Sequence, residues 1–396
     1  MRVAHCLVVS LISLSAAHAA DQLPHMQLDP TGTTVSGLSS GAYMAVQVHV
    51  ANSSSIIGAG VIAGGPYFCA EGQLYIALNR CMQTYLGKPD ANALLLRART
   101  IAASGRIDPL ENLADDRVYL FSGTRDTTVA QPVMNAARDF YRSAGIAEQS
   151  IKYVNDVAAG HAFIAEGAQN ACGVTESPYI NDCDYDQAGD LLRHLYGALA
   201  PPGEMREANL LTFDQSEFLN DPESHGMAST GFVYRPAACV EGERCRLHIA
   251  FAGCKQTPVD IGDLYARTTG FNRWAESNRL VILYPQSSAS PDNPNGCWDW
   301  WGYDDSAYYT KSGRQMTAIT KMAARLGVVF TDTPPASFCQ RHDGANWNHW
   351  LEGRVEACGW FSLCAVGSGE RVGFYYSIST LYESPEGVFS AAPCAP

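Results

Sequence analysis

Beyond its first twenty residues the sequence has no run of eighteen apolar residues, so no later segment is expected to cross a bilayer as a helix. It also has no Cys-x-x-Cys pair, and its ten histidines are scattered without metal-ligand spacing, so no metal site is expected. Basic runs are absent, as are stretches that interleave basic and aromatic residues. With 27 Lys and Arg against 40 Asp and Glu, the net charge is −13, which argues against nucleic acid as a partner. No internal repeat or low-complexity tract is evident.

The first twenty residues, MRVAHCLVVSLISLSAAHAA, carry Arg2, an apolar run from Cys6 to Leu14 and an Ala17-His18-Ala19 end. Residues 1–19 are therefore expected to be a cleaved secretory signal, delivering the chain to a periplasm or to the medium. Its removal takes Cys6 and leaves twelve of thirteen cysteines, an even number that fits disulfides in an exported chain. Cys69 and Cys81, Cys172 and Cys183, Cys239 and Cys245, and Cys358 and Cys364 lie close in sequence. Cys254, Cys297, Cys339 and Cys394 are the remaining candidates, and sequence does not fix the connectivity.

Short apolar runs such as "IIGAGVIAGG", "RVYLFSG", "RLHIAFAG" and "RLVILYP" alternate with helix-period segments such as "VMNAARDFYRSAG" and "QMTAITKMAARLG". That alternation predicts an α/β fold, a mainly parallel sheet with helices on both faces. It stops near Pro334-Pro335. The stretch beyond those prolines is rich in aromatics, Gly and Ser, so 20–335 is expected to be one domain and 336–396 a small β-rich module. About 375 residues after signal removal also exceed what one core usually holds.

Gly37-Leu38-Ser39-Ser40-Gly41 matches Gly-x-Ser-x-Gly, with a strand before it and a helix after it. A sharp strand-to-helix turn lifts the central side chain above the sheet edge, and small flanking residues let the turn pass its neighbours. Ser39 is thus the candidate nucleophile, and a serine hydroxyl needs a base oriented by a third group. In α/β-hydrolase order the acid comes next and the histidine last, each after a strand. "RVYLFSGTRDTTV" supplies Asp126 and "IKYVNDVAAGHAF" supplies His161. Asp108 and Asp156 are the alternative acids, but Asp108 precedes its strand and Asp156 shares the His161 loop.

The usual hydrolase order places several strands and an oxyanion loop before the nucleophile, yet few residues precede Ser39 here. The stretch "TGFVYRPAACVEGERCRLHIAFAGCKQTPVDI" reads like that missing front half. The chain is therefore expected to be circularly permuted. The N–H groups of Ser40 and Cys254 would then form the oxyanion hole, a role compatible with Cys254 also being half of a disulfide, with Cys297 as a candidate partner.

Together "GLSSGAYMA", "SGTRDTTV", "AGHAF", "AGCKQ" and "NGCWDWWG" resemble the extracellular poly(3-hydroxybutyrate) depolymerases, specifically the circularly permuted α/β-hydrolase type. The resemblance spans most of residues 28 to 335. It implies a secreted serine esterase that cuts polyester into hydroxyacid oligomers through Ser39, Asp126 and His161, without a cofactor. One departure is Ala252, where many relatives carry His. The resemblance also places Trp298, Trp300 and Trp301 near the substrate, although tryptophans are commonly core. In the C-terminal stretch, Trp347, Trp350, Trp360, Phe361, Phe374, Tyr375 and Tyr376 would either fill a small core or form a polymer-adhering face. The expected partner is a polyester surface or an ester oligomer, met by a monomer. The rival readings are a secreted carboxylesterase or feruloyl esterase and a non-catalytic adhesion protein.

Overall fold

The computed structural model describes residues 21–330, 340–359, 362–366, 368–383 and 389–391. The expected signal, the Pro334-Pro335 boundary, Cys339, Cys394, Trp360 and Phe361 lie outside the described residues.

Eight strands build one sheet: β1 (Thr33–Leu38), β2 (Ile56–Ile62), β3 (Arg117–Phe121), β4 (Ile151–Val154), β5 (Leu210–Asp214), β6 (Thr230–Tyr234), β7 (Arg246–Phe251) and β8 (Leu280–Tyr284). Their spatial order is β4-β3-β2-β1-β7-β8-β6-β5. The six from β4 to β8 run parallel, and β6 and β5 are antiparallel at one edge. The central runs, such as LVILY of β8, are buried throughout, as parallel strands covered on both faces must be.

The pair that closes the permutation is β1 with β7, in register from Thr34 opposite His248 to Gly37 opposite Phe251. A polar clasp fixes it. His248 Nδ1 meets Thr34 Oγ1 at 2.7 Å and His248 Nε2 meets Ser36 Oγ at 2.8 Å, in a fully buried setting. Burial pushes the His248 pKa down to about 3, so the ring is neutral in the fold.

Helices cover both faces and leave two apolar layers. Helix α1 (Ser40–Ala51) is buried on every side, which fits its sequence SGAYMAVQVHVA with no charged residue other than His49. Helices α2 (Ala91–Ala103), α3 (Gln131–Ser143), α4 (Gln187–Tyr196), α5 (Phe271–Asn278) and α6 (Arg314–Arg325) are the other long ones. In α3 the inward stripe is Val133, Met134, Ala137, Phe140 and Tyr141, spaced at three and four residues. Asp90 and Asp186 cap α2 and α4 by accepting from free N–H groups of the first turn.

The described residues between 340 and 391 form two three-stranded antiparallel sheets and a short helix, α7 (Asn346–Leu351), around their own buried cluster of Val355, Leu363, Ala365, Leu381 and Phe389. Five disulfides are present among the described residues: Cys69–Cys81, Cys172–Cys183, Cys239–Cys245, Cys254–Cys297 and Cys358–Cys364. They fit an oxidising compartment. No helix among the described residues is long and apolar enough to cross a membrane.

Candidate active site

At the end of β1 the backbone turns through Ser39, whose φ of 57° and ψ of −120° lie where a non-glycine residue is strained. Two glycines make the turn sterically possible. A Cβ on Gly37 would stand 2.2 Å from the Gly41 carbonyl oxygen, and one on Gly41 would stand 2.4 Å from the carbonyl oxygens of Phe251 and Ala252. The Ser39 N–H donates to the Ile62 carbonyl at 2.9 Å, which ties the turn to β2. The side chain of Ser39 is half-exposed between buried neighbours.

The loops after β3 and β4 leave the same edge of the sheet as this turn, since β3 and β4 run parallel to β1 across β2, and they meet each other. Gly123 allows close approach, since a Cβ there would lie 2.2 Å from the Ala159 carbonyl oxygen. Asp126 Oδ1 accepts from the N–H groups of Thr128 (2.8 Å) and Val129 (3.0 Å). Its Oδ2 faces His161 Nδ1 at 2.8 Å, with the carboxylate almost wholly buried. Two backbone donors aim the carboxylate, and a third contact goes to the ring. With Nδ1 donating to Asp126, Nε2 is the nitrogen left to accept a proton. The His161 backbone is fixed in turn, its N–H donating to Thr175 Oγ1 at 2.8 Å.

The alternative acids stand elsewhere. Asp108 is fully buried and engaged by Ser54 and Lys311, a structural ion pair. Asp156 is exposed.

The β7–α loop reaches Ser39 from the other side. A Cβ on Gly253 would lie 3.3 Å from Ser39 Cβ, so Gly253 and Cys254 pass directly beside the nucleophile. Among the described residues the N–H groups of Ser40 and Cys254 have no acceptor. Cys254 is bonded to Cys297, which draws the 297–301 segment onto the same wall. Gln256 belongs to no sequence motif, yet it shapes this loop. Its Oε1 accepts from the Gly253 N–H at 2.6 Å, and its Nε2 donates to the Pro178 carbonyl at 2.8 Å. Thr175 is silent in the sequence for the same reason: a single polar residue in a loop carries no spacing signal.

The expected row of three tryptophans needs correction for two of its members. Trp298 is fully buried, packed edge-on against Phe251, and its Nε1–H donates to the Ala252 carbonyl at 3.0 Å. Its backbone N–H donates to Ser40 Oγ at 3.3 Å, so it braces the turn from below. Trp300 is 5% exposed and stacks on Tyr43 of α1, ring centroids 4.1 Å apart. A ring with both faces packed offers none to a ligand. Trp301 is half-buried. Between them Asp299 accepts four backbone N–H groups, from Gly302, Tyr303, Asp304 and Asp305, and burial pushes its pKa up to about 6 despite those donors.

Comparison with known proteins points the same way as the geometry. No family model matches the chain. A "Poly(3-hydroxybutyrate) depolymerase" of Delftia acidovorans is 46% identical over 332 residues, covering 83% of this chain and 66% of that one. A "Polyhydroxybutyrate depolymerase" of Talaromyces funiculosus is 38% identical over 333 residues, covering 78% of this chain and 94% of that one. The chain belongs to the poly(3-hydroxybutyrate) depolymerase family. Solved depolymerases agree in fold: one from Penicillium funiculosum, and a serine-to-alanine variant complexed with an R3HB trimer, each have a TM-score of 0.71, 34% identity, and coverage of 77% of this chain and 98% of theirs. This depolymerase-family chain therefore spans nearly all of the fungal relatives, and about two thirds of the length of the Delftia one.

Proposed function

We propose that the protein is an exported serine esterase that hydrolyses poly(3-hydroxybutyrate)-type polyesters to hydroxyacid oligomers. Ser39 attacks the ester carbonyl while His161 Nε2 takes its proton, and Asp126 stabilises the imidazolium. The tetrahedral oxyanion is held by the N–H groups of Ser40 and Cys254. His161 returns the proton to the departing alkoxide, then activates water to release the acyl group from Ser39. No step calls for a cofactor or metal.

The observation that supports this reading is the Asp126–His161 contact of 2.8 Å, made by loops that follow strands parallel to the one ending in the strained Ser39 turn. Residues 1–19 act as the leader, 20–335 as the catalytic domain and 336–396 as a module that adheres to the polymer surface. The protein works as a monomer in an extracytoplasmic space. Of the three tryptophans, Trp301 is the one left with a face for substrate. A feruloyl or small-ester carboxylesterase would share the triad but is not favoured, given the family.

Clearing of a poly(3-hydroxybutyrate) suspension, run beside p-nitrophenyl butyrate and a feruloyl ester, tests the reading. Clearing that disappears in Ser39→Ala is expected. Aryl-ester cleavage without clearing would move the assignment to a small-ester hydrolase.

A further inference from the structure

When the ester cut is the last one of a polyester chain, the departing unit is a free hydroxyacid, its carboxylate only a short way from the oxygen that leaves. His161 gives that oxygen its proton, so the departing unit lies on the His161 side of Ser39. The carbonyl oxygen lies on the Cys254 side. A group that recognises the carboxylate must therefore stand by His161.

Arg125 stands there. It immediately precedes Asp126, and its N–H donates to the Ala159 carbonyl at 3.0 Å, which pins it to the His161 loop. Its side chain rests over Gly173: a Cβ placed on that glycine would be 2.7 Å from Arg125 Nη1 and 2.9 Å from its Cδ. The strip under the guanidinium is the one that holds His161, since Cys172 accepts from the Gly160 N–H at 2.9 Å and Thr175 Oγ1 from the His161 N–H at 2.8 Å. Arg125 is exposed, and among the described residues no carboxylate lies within ion-pair distance of it. Elsewhere Arg138, Arg142, Arg267 and Arg314 each meet one. Arg99 and Arg273 also meet no carboxylate among the described residues; what distinguishes Arg125 is its place over the strip that holds His161.

We infer that Arg125 binds the carboxylate of the departing hydroxyacid unit and so favours the ester nearest the carboxyl end of a chain, an inference that rests on the polyester reading above. The planar guanidinium matches a carboxylate with two parallel N–H donors, a fit that lysine lacks. Because the site is open to water, the effect is modest, about fivefold. Lys255, next to Cys254 on the carbonyl side, serves as a control of equal charge.

The test compares the 3-hydroxybutyrate trimer as free acid and as methyl ester, with p-nitrophenyl butyrate alongside, in the wild type, R125Q, R125K and K255Q. R125Q is expected to lower kcat/KM on the free acid about fivefold, chiefly through KM, and to leave the methyl and aryl esters within about twofold. R125K should recover part of the loss, and K255Q should keep the preference. Equal losses on acid and methyl ester, no loss on the acid, or the same loss in K255Q would each overturn the assignment. A wild type that cleaves the aryl ester but neither trimer would sink the polyester reading, and this assignment with it.

Discussion

Residues 21–330 and the described residues of 340–391 treat most of their tryptophans differently. In the larger region Trp274, Trp298 and Trp300 are all buried and serve the core. In the smaller one Trp347 is 45% exposed, Trp350 40% and Tyr376 94%. Trp347, Trp350 and Tyr375 nonetheless cluster, with centroids 5.1 to 5.9 Å apart. Size explains the contrast. An eight-stranded sheet has two faces to fill and takes in Trp274, Trp298 and Trp300, leaving Trp301 half-buried and Tyr75 and Tyr85 exposed. Among the described residues of the smaller unit, Val355, Leu363, Leu381 and Phe389 are buried, at about 1.5–3 kcal/mol each, and the Cys358–Cys364 bridge supplements them. On the proposed reading, the rings that the small core leaves outside are available to a polymer surface.

The largest effect expected is on the chemistry of the larger region. Ser39→Ala should lower kcat on p-nitrophenyl butyrate by about a million-fold while leaving binding to polymer particles unchanged. Loss of adsorption as well would mean that one region performs both tasks. Next comes the packing contrast. Trp298→Ala removes a wholly buried ring under the nucleophile turn and should cost about 3–5 kcal/mol in chemical denaturation. A cost below about 1 kcal/mol would show that the ring is dispensable to the core, against the comparison.

Acid should also act on the larger region, through the His248 clasp between β1 and β7. His248 takes its proton only near pH 3 in the fold, whereas an unfolded histidine does so near 6.5. Between those values the unfolded chain binds more protons, so this contribution is complete above about 6.5 and is lost as pH falls toward 3, an effect of up to about 5 kcal/mol. His248→Gln should flatten that part of the stability profile. An unchanged slope would place the acid sensitivity elsewhere. Smallest is the module itself. Combined Trp347→Ala and Trp350→Ala should weaken adsorption to polymer particles severalfold and leave soluble-ester kcat untouched. If adsorption survives while the melting temperature of the module falls, the rings are structural.

Much of this is legible in the sequence because it depends on local patterns. The Gly37-to-Gly41 turn, Asp126 after its glycine and His161 after the next strand each carry a signature within a dozen residues, and their strand contexts set their order. The pairing of β7 with β1 is legible only from the shortage of chain before Ser39. The features that stay hidden are tertiary. Trp298 and Trp301 look alike in "CWDWWG", but which ring turns inward depends on Phe251 and Ala252, contributed by a distant strand. Gln256 and Thr175 act through single hydrogen bonds to backbone, and residue type alone does not reveal such bonds. The neutral state of His248 comes from total burial between two strands far apart in the chain, which no local pattern encodes.

The central claim is that a late loop completes a site begun by an early turn. Crystallography of the enzyme inhibited by an aryl phosphonate tests it most directly. The account predicts a single covalent adduct on Ser39, with its phosphoryl oxygen about 2.7–3.1 Å from the backbone nitrogens of both Ser40 and Cys254 and its leaving-group position toward His161. An adduct on another residue, or a phosphoryl oxygen directed away from Cys254, would contradict it.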